Sequence, residues 1–251
     1  MPGKVYLVGA GPGAPDLLTL RAARLLAAAD VVFHDALVHP QTVALAERAQ
    51  RIAVGKRCGR HSTAQRFINK RLVDAAGRHA VVVRLKGGDP MLFGRAQEEI
   101  DALEAARIPY EVVPGITAAL GAAAELGVSL TRRGRSRNVA FVTPRIGAAE
   151  SASDWAAAAL AADTAALYMG VGEAGPIADT LVARGKSPDT PVAIVENATL
   201  PDARISYGVL ADLAALAGRV GAGPALILLG EVLAERVALS PATTSERREA
   251  A

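Results

Sequence analysis

Short apolar runs alternate with Ala- and Leu-rich segments of helical length along nearly the whole chain. This alternation is typical of βαβ units, so the sequence predicts an α/β fold with a largely parallel sheet. The predicted strands are residues 5–8, 31–34, 51–54, 81–85, 110–113, 139–142, 165–168, 192–195 and 225–229. The predicted helices are residues 17–29, 64–76, 96–106, 117–126, 154–162, 174–183 and 210–217, and Asp16 is the expected N-cap of the first.

The length of 251 residues fits one large domain or two smaller ones. Strands are compact and evenly spaced up to residue 114, and longer loops follow. We therefore predict an N-terminal α/β domain over 1–114 and a C-terminal α/β domain over 115–239. Residues 240–251 are polar and short of core-forming side chains, which predicts a disordered tail.

The cysteine and histidine content excludes two classes of protein. Cys58 is the single cysteine, so a disulfide framework cannot form. The histidines lie at no spacing typical of a zinc site; they are His34, His39, His61 and His79.

The longest uncharged apolar stretch, 112–124, is interrupted by Pro114 and Gly115, and the run 5–8 is too short for a signal peptide. We expect a cytoplasmic protein without a bound metal or a membrane span.

The net charge of +3 conceals a basic middle segment. Residues 48–145 carry 18 Lys and Arg against 8 Asp and Glu, a net charge of +10, and the rest of the chain carries −7. Solvated helix faces could explain the excess, as could an anionic partner, either nucleic acid or a polyanionic small molecule. Nucleic acid is disfavoured because the segment lacks aromatic residues interleaved with the basic ones for base stacking.

Glycine-rich loops follow three of the predicted strands: GAGPG at 9–13, GGDP at 87–90 and PGIT at 114–117. Because the carboxyl ends of parallel strands meet at one edge of a sheet, these loops predict a ligand site there. A dinucleotide site with Asp35 on a ribose is one alternative, and turns without a ligand are another. However, the GxGxG spacing is not the Rossmann fingerprint, and Pro12 removes a backbone donor that a pyrophosphate would use.

Several motifs occur in a fixed order: LVGAGPG at 7–13, VGKR at 54–57, RLKGGDP at 84–90, EVVPGIT at 111–117, YMG at 168–170, VEN at 195–197 and PALILLGEV at 224–232. In this order and spacing the chain resembles the tetrapyrrole methylases over residues 4–238, and among them the uroporphyrinogen-III C-methyltransferases. The resemblance implies two α/β domains with parallel or mixed sheets and a cofactor cleft between them, unlike a Rossmann methyltransferase. It also implies a homodimer that methylates two ring carbons of uroporphyrinogen III, giving precorrin-2 by way of precorrin-1.

The resemblance assigns roles to individual residues. Contacts to S-adenosylmethionine fall on Pro12, Gly87, Gly88, Asp89, Leu92, Thr117, Ala118, Met169, Ala198 and Ala225. Asp35 and Lys56 match catalytic positions, and Arg95, Glu98 and Arg133 match substrate contacts. Asp35 as a helix N-cap and Lys56 as a surface lysine or propionate ligand remain alternatives. Methyl transfer from a sulfonium needs alignment of the reacting atoms more than a metal, which agrees with the few metal-ligating residues.

This chain departs from the family pattern at several positions. It has GRAQEE at 94–99, TRR at 131–133, TPR at 143–145 and ENAT at 196–199, where the family usually has GRGGEE, THR, TGH and ENGT. The first three departures lie in loops on the substrate side. An alternative function is therefore methylation of a later corrin intermediate. The expected partner is a small-molecule tetrapyrrole, without nucleic acid or membrane.

Overall fold

The computed structural model describes residues 2–54, 65–146 and 153–240. The chain divides into two compact units, Met1–Ala118 and Ala119–Ala251, each of which is described by itself. Lys56 and, apart from Ser240, the predicted tail 240–251 lie outside the described residues. Within the described ranges no helix combines the length and the apolar character needed to cross a bilayer.

The first unit is built on a parallel sheet. Its strands are β1 (Lys4–Gly9), β2 (Val31–His34), β3 (Gln50–Ala53), β4 (Val81–Lys86) and β5 (Tyr110–Val113), in the order β3-β2-β4-β1-β5 with every pair parallel. Its helices are α1 (Leu20–Ala28), α2 (Pro40–Ala44), α3 (Gln65–Ala76) and α4 (Ala96–Ala105). The prediction of βαβ units with a parallel sheet is confirmed here.

The central strands of this sheet are buried on both faces. In β1, Leu7 packs in one apolar cluster with Leu72 of α3 and Leu103 of α4. Its neighbour Val8 belongs to a second cluster, which includes Leu26 of α1. Successive side chains of a strand point to opposite faces, so both faces of β1 need apolar residues. This burial explains the continuous apolar runs from which the strands were predicted.

Helix α1 begins later than the sequence predicts. Asp16 lies in a short 3-10 turn, Pro15–Leu17, after which Leu18 is extended, with φ −66° and ψ 146°. The N-cap of α1 is Thr19, whose Oγ1 accepts the N–H of Ala22 at 3.1 Å. The prediction of Asp16 as the N-cap is therefore wrong, because the extended Leu18 separates the 3-10 turn from the helix.

The second unit holds a mixed sheet. Its elements are α5 (Ala118–Leu126), β6 (Val139–Val142), α6 (Trp155–Ala161), β7 (Thr164–Tyr168), α7 (Ala174–Ala183), β8 (Pro191–Glu196), β9 (Arg204–Val209), α8 (Leu213–Ala217), β10 (Ala225–Gly230) and α9 (Ala234–Ala238). The strand order is β6-β7-β10-β8-β9; β6 and β7 are parallel and the other pairs are antiparallel. The α/β class and the mixed sheet that the family resemblance allows are confirmed, whereas the largely parallel sheet expected from the alternation alone is not found in this unit.

Strand β9 and helices α2 and α9 were not predicted. In β9, Ile205, Tyr207 and Val209 alternate with more polar residues, and the whole strand is exposed or half-buried at the edge of the sheet. A search for period-two alternation would have found it. Helices α2 and α9 have 5 residues each, too few to show a helical repeat.

Candidate functional site

The predicted site residues of the first unit follow neighbouring strands. Pro12 follows β1, Asp35 follows β2, residues 87–89 follow β4, and Thr117 follows β5. In the sheet, β2, β4, β1 and β5 are consecutive and parallel. All of these residues therefore lie at the carboxyl edge of the sheet, where open α/β sheets bind their ligands.

The three glycine loops contact one another through backbone atoms. The N–H of Gly88 donates to the carbonyl of Gly11 at 2.8 Å, and the N–H of Gly11 donates back at 3.2 Å. A Cβ placed on Gly9 would lie 2.6 Å from Gly115 N and 2.7 Å from Gly88 O, closer than real Cβ atoms approach. Gly11 and Gly88 also have φ of +74° and +68°, which favours glycine. The loops consequently form one continuous backbone surface, and side chains cannot be added at its centre.

Asp89 joins two of these loops. Its Oδ1 accepts the N–H of Met91 at 2.8 Å, and its Oδ2 accepts the N–H of Gly115 at 2.9 Å. The half-buried Leu92 donates its N–H to the carbonyl of Asp89 at 3.4 Å, which closes the turn. Each carboxylate oxygen retains a second lone pair, so Asp89 can still accept a hydrogen bond from a hydroxyl or ammonium group of a ligand.

Thr117 and Ala118 lie beside the GGDP loop. A Cβ on Gly88 would lie 4.0 Å from both Thr117 Cα and Ala118 N, which is ordinary van der Waals distance. A Cβ on the neighbouring Gly87 would lie 3.2 Å from the Cβ of Leu37, the second residue after Asp35. The predicted cofactor residues of this unit are thus brought together with the loop that carries Asp35.

Asp35 is the outermost member of a cluster of ion pairs. The Nη2 of Arg84 donates to Asp35 Oδ1 at 2.5 Å, and its Nε donates to Glu99 Oε1 at 2.9 Å. Lys86 Nζ lies 3.1 Å from both oxygens of Glu99. The side chains of Arg84, Lys86 and Glu99 are 2%, 4% and 0% exposed, whereas that of Asp35 is 25% exposed. The cluster therefore reaches the surface of the unit at Asp35.

The pKa values of the two buried cations in this cluster shift in opposite directions. For Arg84, burial disfavours the charged form, but the charges of Asp35 and Glu99 outweigh it and raise the pKa. For Lys86, burial and the Arg84 cation together lower the pKa, and Glu99 offsets them only in part. The difference arises because Arg84 contacts two carboxylates and Lys86 contacts one.

Arg95 and Glu98 form the predicted pair at the start of α4. Arg95 Nε donates to Glu98 Oε1 at 2.6 Å and its terminal nitrogen Nη2 donates to Oε2 at 2.8 Å, in a bidentate arrangement. Both side chains are more than two fifths exposed, at 59% and 48%. Arg95 and Phe93 have left-handed backbones, with φ of +54° and +52°. Such conformations cost free energy in residues other than glycine and are common at functional sites.

The predicted cofactor residues of the second unit lie at one edge of its sheet. Strands β7 and β8 are both antiparallel to β10, so they run in the same direction, and their carboxyl ends lie where β10 begins. Met169 follows β7, Ala198 follows β8, and Ala225 begins β10 opposite Glu196. Met169 has φ of +58°, and Asn197 and Thr199, on either side of Ala198, have φ of +51° and +70°.

Arg133 lies in a turn of the second unit that is closed by a β-bridge between Arg132 and Ser136. Arg132 and Arg135 both contact Glu235, at 2.7 and 3.3 Å, so Glu235 fixes the turn. Arg133 is exposed at its tip. Among the described residues, no group of His, Cys, Asp and Glu side chains is arranged to hold a metal ion.

The family model for tetrapyrrole (corrin/porphyrin) methylases matches residues 4–214. This chain belongs to the tetrapyrrole methylase family. A solved member, the uroporphyrin-III C-methyl transferase of Thermus thermophilus complexed with S-adenyl homocysteine, is 41% identical. The similarity covers 93% of this chain and 100% of that one, with a TM-score of 0.82.

Two similar curated proteins are siroheme synthases. The siroheme synthase of Zymomonas mobilis is 49% identical over 231 residues, which are 92% of this chain and 49% of that protein. The siroheme synthase of Gluconacetobacter diazotrophicus is 48% identical over 244 residues, which are 95% of this chain and 52% of that protein. The chain thus spans about half the length of the curated relatives it matches.

The cluster around Glu99 was not predicted from the sequence. A signal for it was present, because Arg84 and Lys86 lie in the apolar strand β4, and buried cations need carboxylate partners. The acidic residues at the start of α4, the helix that follows β4, were candidates for this partner; they are Glu98 and Glu99. The burial pattern decides between them, since Glu99 is buried and Glu98 is exposed.

Proposed function

We propose that this chain transfers methyl groups from S-adenosylmethionine to two ring carbons of uroporphyrinogen III, giving precorrin-2 by way of precorrin-1. The observation that carries the proposal is the similarity to the Thermus thermophilus enzyme, whose solved complex contains S-adenyl homocysteine. The similarity to two siroheme synthases, of which this chain matches about half, supports the same proposal. We also propose that the chain acts as a cytoplasmic homodimer, without a metal, nucleic acid or membrane partner.

The residues at the carboxyl edge of the first unit suit this methyl donor. The joined glycine loops expose backbone without side chains, so the donor can approach the amides and carbonyls closely. Asp89 offers lone pairs for ribose hydroxyls or for the ammonium group of the methionine part. We assign donor binding here to Pro12, Gly87, Gly88, Asp89, Leu92, Thr117 and Ala118, and in the second unit to Met169, Ala198 and Ala225.

The donor, when bound, supplies an electrophilic methyl group on a sulfonium. We assign to Asp35 the task of accepting a hydrogen bond from a pyrrole N–H, which raises the electron density of the ring carbon that attacks. As the new C–C bond forms, the electrons of the broken S–C bond stay on sulfur, and the pyrrole N–H proton passes to the Asp35 carboxylate. Lys56 is assigned to the same site from the sequence resemblance.

The substrate carries eight carboxylates, and exposed arginines can bind them in a bidentate manner. Arg95 is held by Glu98 with its guanidinium exposed, and Arg133 projects from a turn that Glu235 fixes. We assign Arg95, Glu98 and Arg133 to substrate contacts. The basic middle segment of the chain, 48–145, contains all three.

The decisive test is anaerobic incubation of the purified protein with uroporphyrinogen III and S-adenosylmethionine. We expect products heavier by one and then two methyl groups, together with S-adenosylhomocysteine. Methylation of a later corrin intermediate but not of uroporphyrinogen III would favour the alternative substrate. If S-adenosylmethionine does not bind in calorimetry, neither function holds. Gel filtration with light scattering tests the homodimer.

Two substitutions test the assigned roles. Asp35→Ala should lose most turnover while retaining affinity for S-adenosylhomocysteine, whereas Arg133→Ala should mainly raise the KM for uroporphyrinogen III. Wild-type kinetics in both variants would contradict the roles assigned to these residues.

A further inference from the structure

Burying a cluster of four charged side chains has an unfavourable desolvation free energy; the four are Asp35, Arg84, Lys86 and Glu99. Moving charges out of water has a large free-energy cost, and apolar residues of similar volume often stabilise a protein as well or better. The side chains of Arg84, Lys86 and Glu99 are nevertheless almost fully buried. Their arrangement leads to one accessible carboxylate, that of Asp35.

Glu99 is fixed from several directions. Its Oε1 accepts hydrogen bonds from Arg84 Nε at 2.9 Å, from Lys86 Nζ at 3.1 Å and from Gln65 Nε2 at 3.1 Å. Its Oε2 accepts from Lys86 at 3.1 Å. Gln65 Nε2 also contacts Asn69 Oδ1 at 3.0 Å, so that residues of α3 and β4 together hold this carboxylate of α4. The Glu99 side chain therefore has one position available to it.

Arg84 carries this constraint to Asp35. Its Nε is bound to Glu99, and its Nη1 lies 3.3 Å from the carbonyl of Leu85 and 3.5 Å from that of Phe33. A planar guanidinium bound on two edges cannot rotate, so Nη2 points in a fixed direction. That nitrogen donates to Asp35 Oδ1. Because Oδ1 and Oδ2 belong to the same planar carboxylate, this contact also sets the direction of Oδ2.

We propose that Glu99 is a positioning residue that, by holding Arg84, sets the direction of the Asp35 carboxylate toward the substrate. The inference rests on the proposed function, since Asp35 is the group assigned to the pyrrole N–H. Lys86 supplies a second positive charge, so that two cations balance the two carboxylates of the cluster, and it contacts Glu99 without touching Asp35. Its contribution is thus to keep Glu99 in place.

The test compares variants of this cluster and a control variant with the wild-type protein. Glu99→Gln removes the charge that holds Arg84. The double variant Glu99→Gln with Lys86→Met removes one buried charge of each sign, so it avoids leaving Lys86 unpaired if the single variant folds poorly. Asp74→Asn is the matched control, because it removes a carboxylate whose exposed pair with Lys70 spans 2.7 Å on α3.

Three measurements separate positioning from a merely structural role. In both Glu99 variants we expect kcat to fall by about 10- to 100-fold, since small misplacements of a reacting group have effects of this order. The Kd of S-adenosylhomocysteine should stay within about twofold, because the glycine loops are unchanged. Hydrogen exchange at Arg84 Nε, followed by 15N NMR, should become faster by about tenfold or more. Glu99→Asp, which keeps the charge, should recover part of the kcat.

A double variant that binds S-adenosylhomocysteine normally and turns over at the wild-type rate would show that Glu99 does not position Asp35. Unchanged exchange at Arg84 Nε in the Glu99 variants would overturn the inference equally. The exchange measurement needs no turnover. If the wild-type protein methylates nothing, the proposed function fails, and exchange still decides whether Glu99 immobilises Arg84.

Discussion

Replacement of Gly9 by alanine should destabilise the first unit, because this residue lies where the glycine loops meet. The added Cβ would lie 2.6 Å from Gly115 N, 2.7 Å from Gly115 Cα and 2.7 Å from Gly88 O, whereas ordinary contact begins at 3.4 Å. To reach ordinary contact, the Cβ must gain 0.8 Å of distance from Gly115 N and 0.7 Å from Gly88 O. Neither loop can move freely, since Gly88 is bound to Gly11 and Gly115 is bound to Asp89.

Inserting a methylene into a well-packed site costs about 1–3 kcal/mol, and the upper end applies where only backbone can yield. For a chain of this size, each kcal/mol lowers the Tm by about 2–4 °C, so Gly9→Ala should unfold about 6–12 °C lower. The displaced loops should also weaken binding of S-adenosylhomocysteine, by about tenfold or more. Differential scanning calorimetry and titration calorimetry measure the two effects.

Gly77→Ala is the matched control in the same unit. A Cβ at Gly77 would lie 3.5 Å from the carbonyl of Asp74, an ordinary contact, and the residue is exposed. Its Tm and ligand affinity should equal those of the wild-type protein within error. If Gly9→Ala melts and binds like Gly77→Ala, the close backbone contact at the site does not exist and the reasoning fails.

Further expectations concern local interactions that can be tested by thermal unfolding. Thr19→Ala should lower the free energy of unfolding by about 0.5–2 kcal/mol, because α1 loses its N-cap. Asp16→Ala, three residues earlier, should leave it nearly unchanged. Equal losses in the two variants would show that Asp16 is the cap after all. The hydrogen bond from Lys4 lowers the pKa of Glu111 below its ordinary 4.5. This pair should therefore stabilise the fold above pH 4.5 and lose the effect as the pH falls through the lowered pKa. Glu111→Gln should be less stable than the wild-type protein at about pH 7 and equally stable at about pH 2. Glu196→Ala should cost about 1–3 kcal/mol, because the buried carboxylate accepts two backbone N–H groups of the loop before β10; a smaller loss would mean that water replaces it.

The strands of the first unit could be predicted from the sequence because each central strand is buried on both faces. The run 81–85, for example, is apolar except for Arg84. The carboxyl-edge site follows from the same topology, since parallel strands bring their loops together. The edge strand β9 was missed because it is only partly buried and therefore has no continuous apolar run.

The charge cluster illustrates a different limit. Arg84 and Glu99 are 15 residues apart, and their contact depends on how α4 packs against β4. The apolar run of β4 indicates that its cations need carboxylate partners, but it does not indicate whether Glu98 or Glu99 is the partner. In the same way, the glycine motifs predict loops, whereas the contact of Gly9 with Gly115 depends on the register of β1 and β5.

The left-handed residues Met169, Asn197 and Thr199 have a consequence for directed evolution. Each occupies a backbone region that costs a non-glycine residue of order 1 kcal/mol, so selection for heat resistance alone should favour glycine there. Selection for methyl transfer should retain the present side chains wherever they contact a ligand. Laboratory populations evolved under the two pressures should therefore diverge at these positions, and the divergence would identify which of them serve activity rather than the fold.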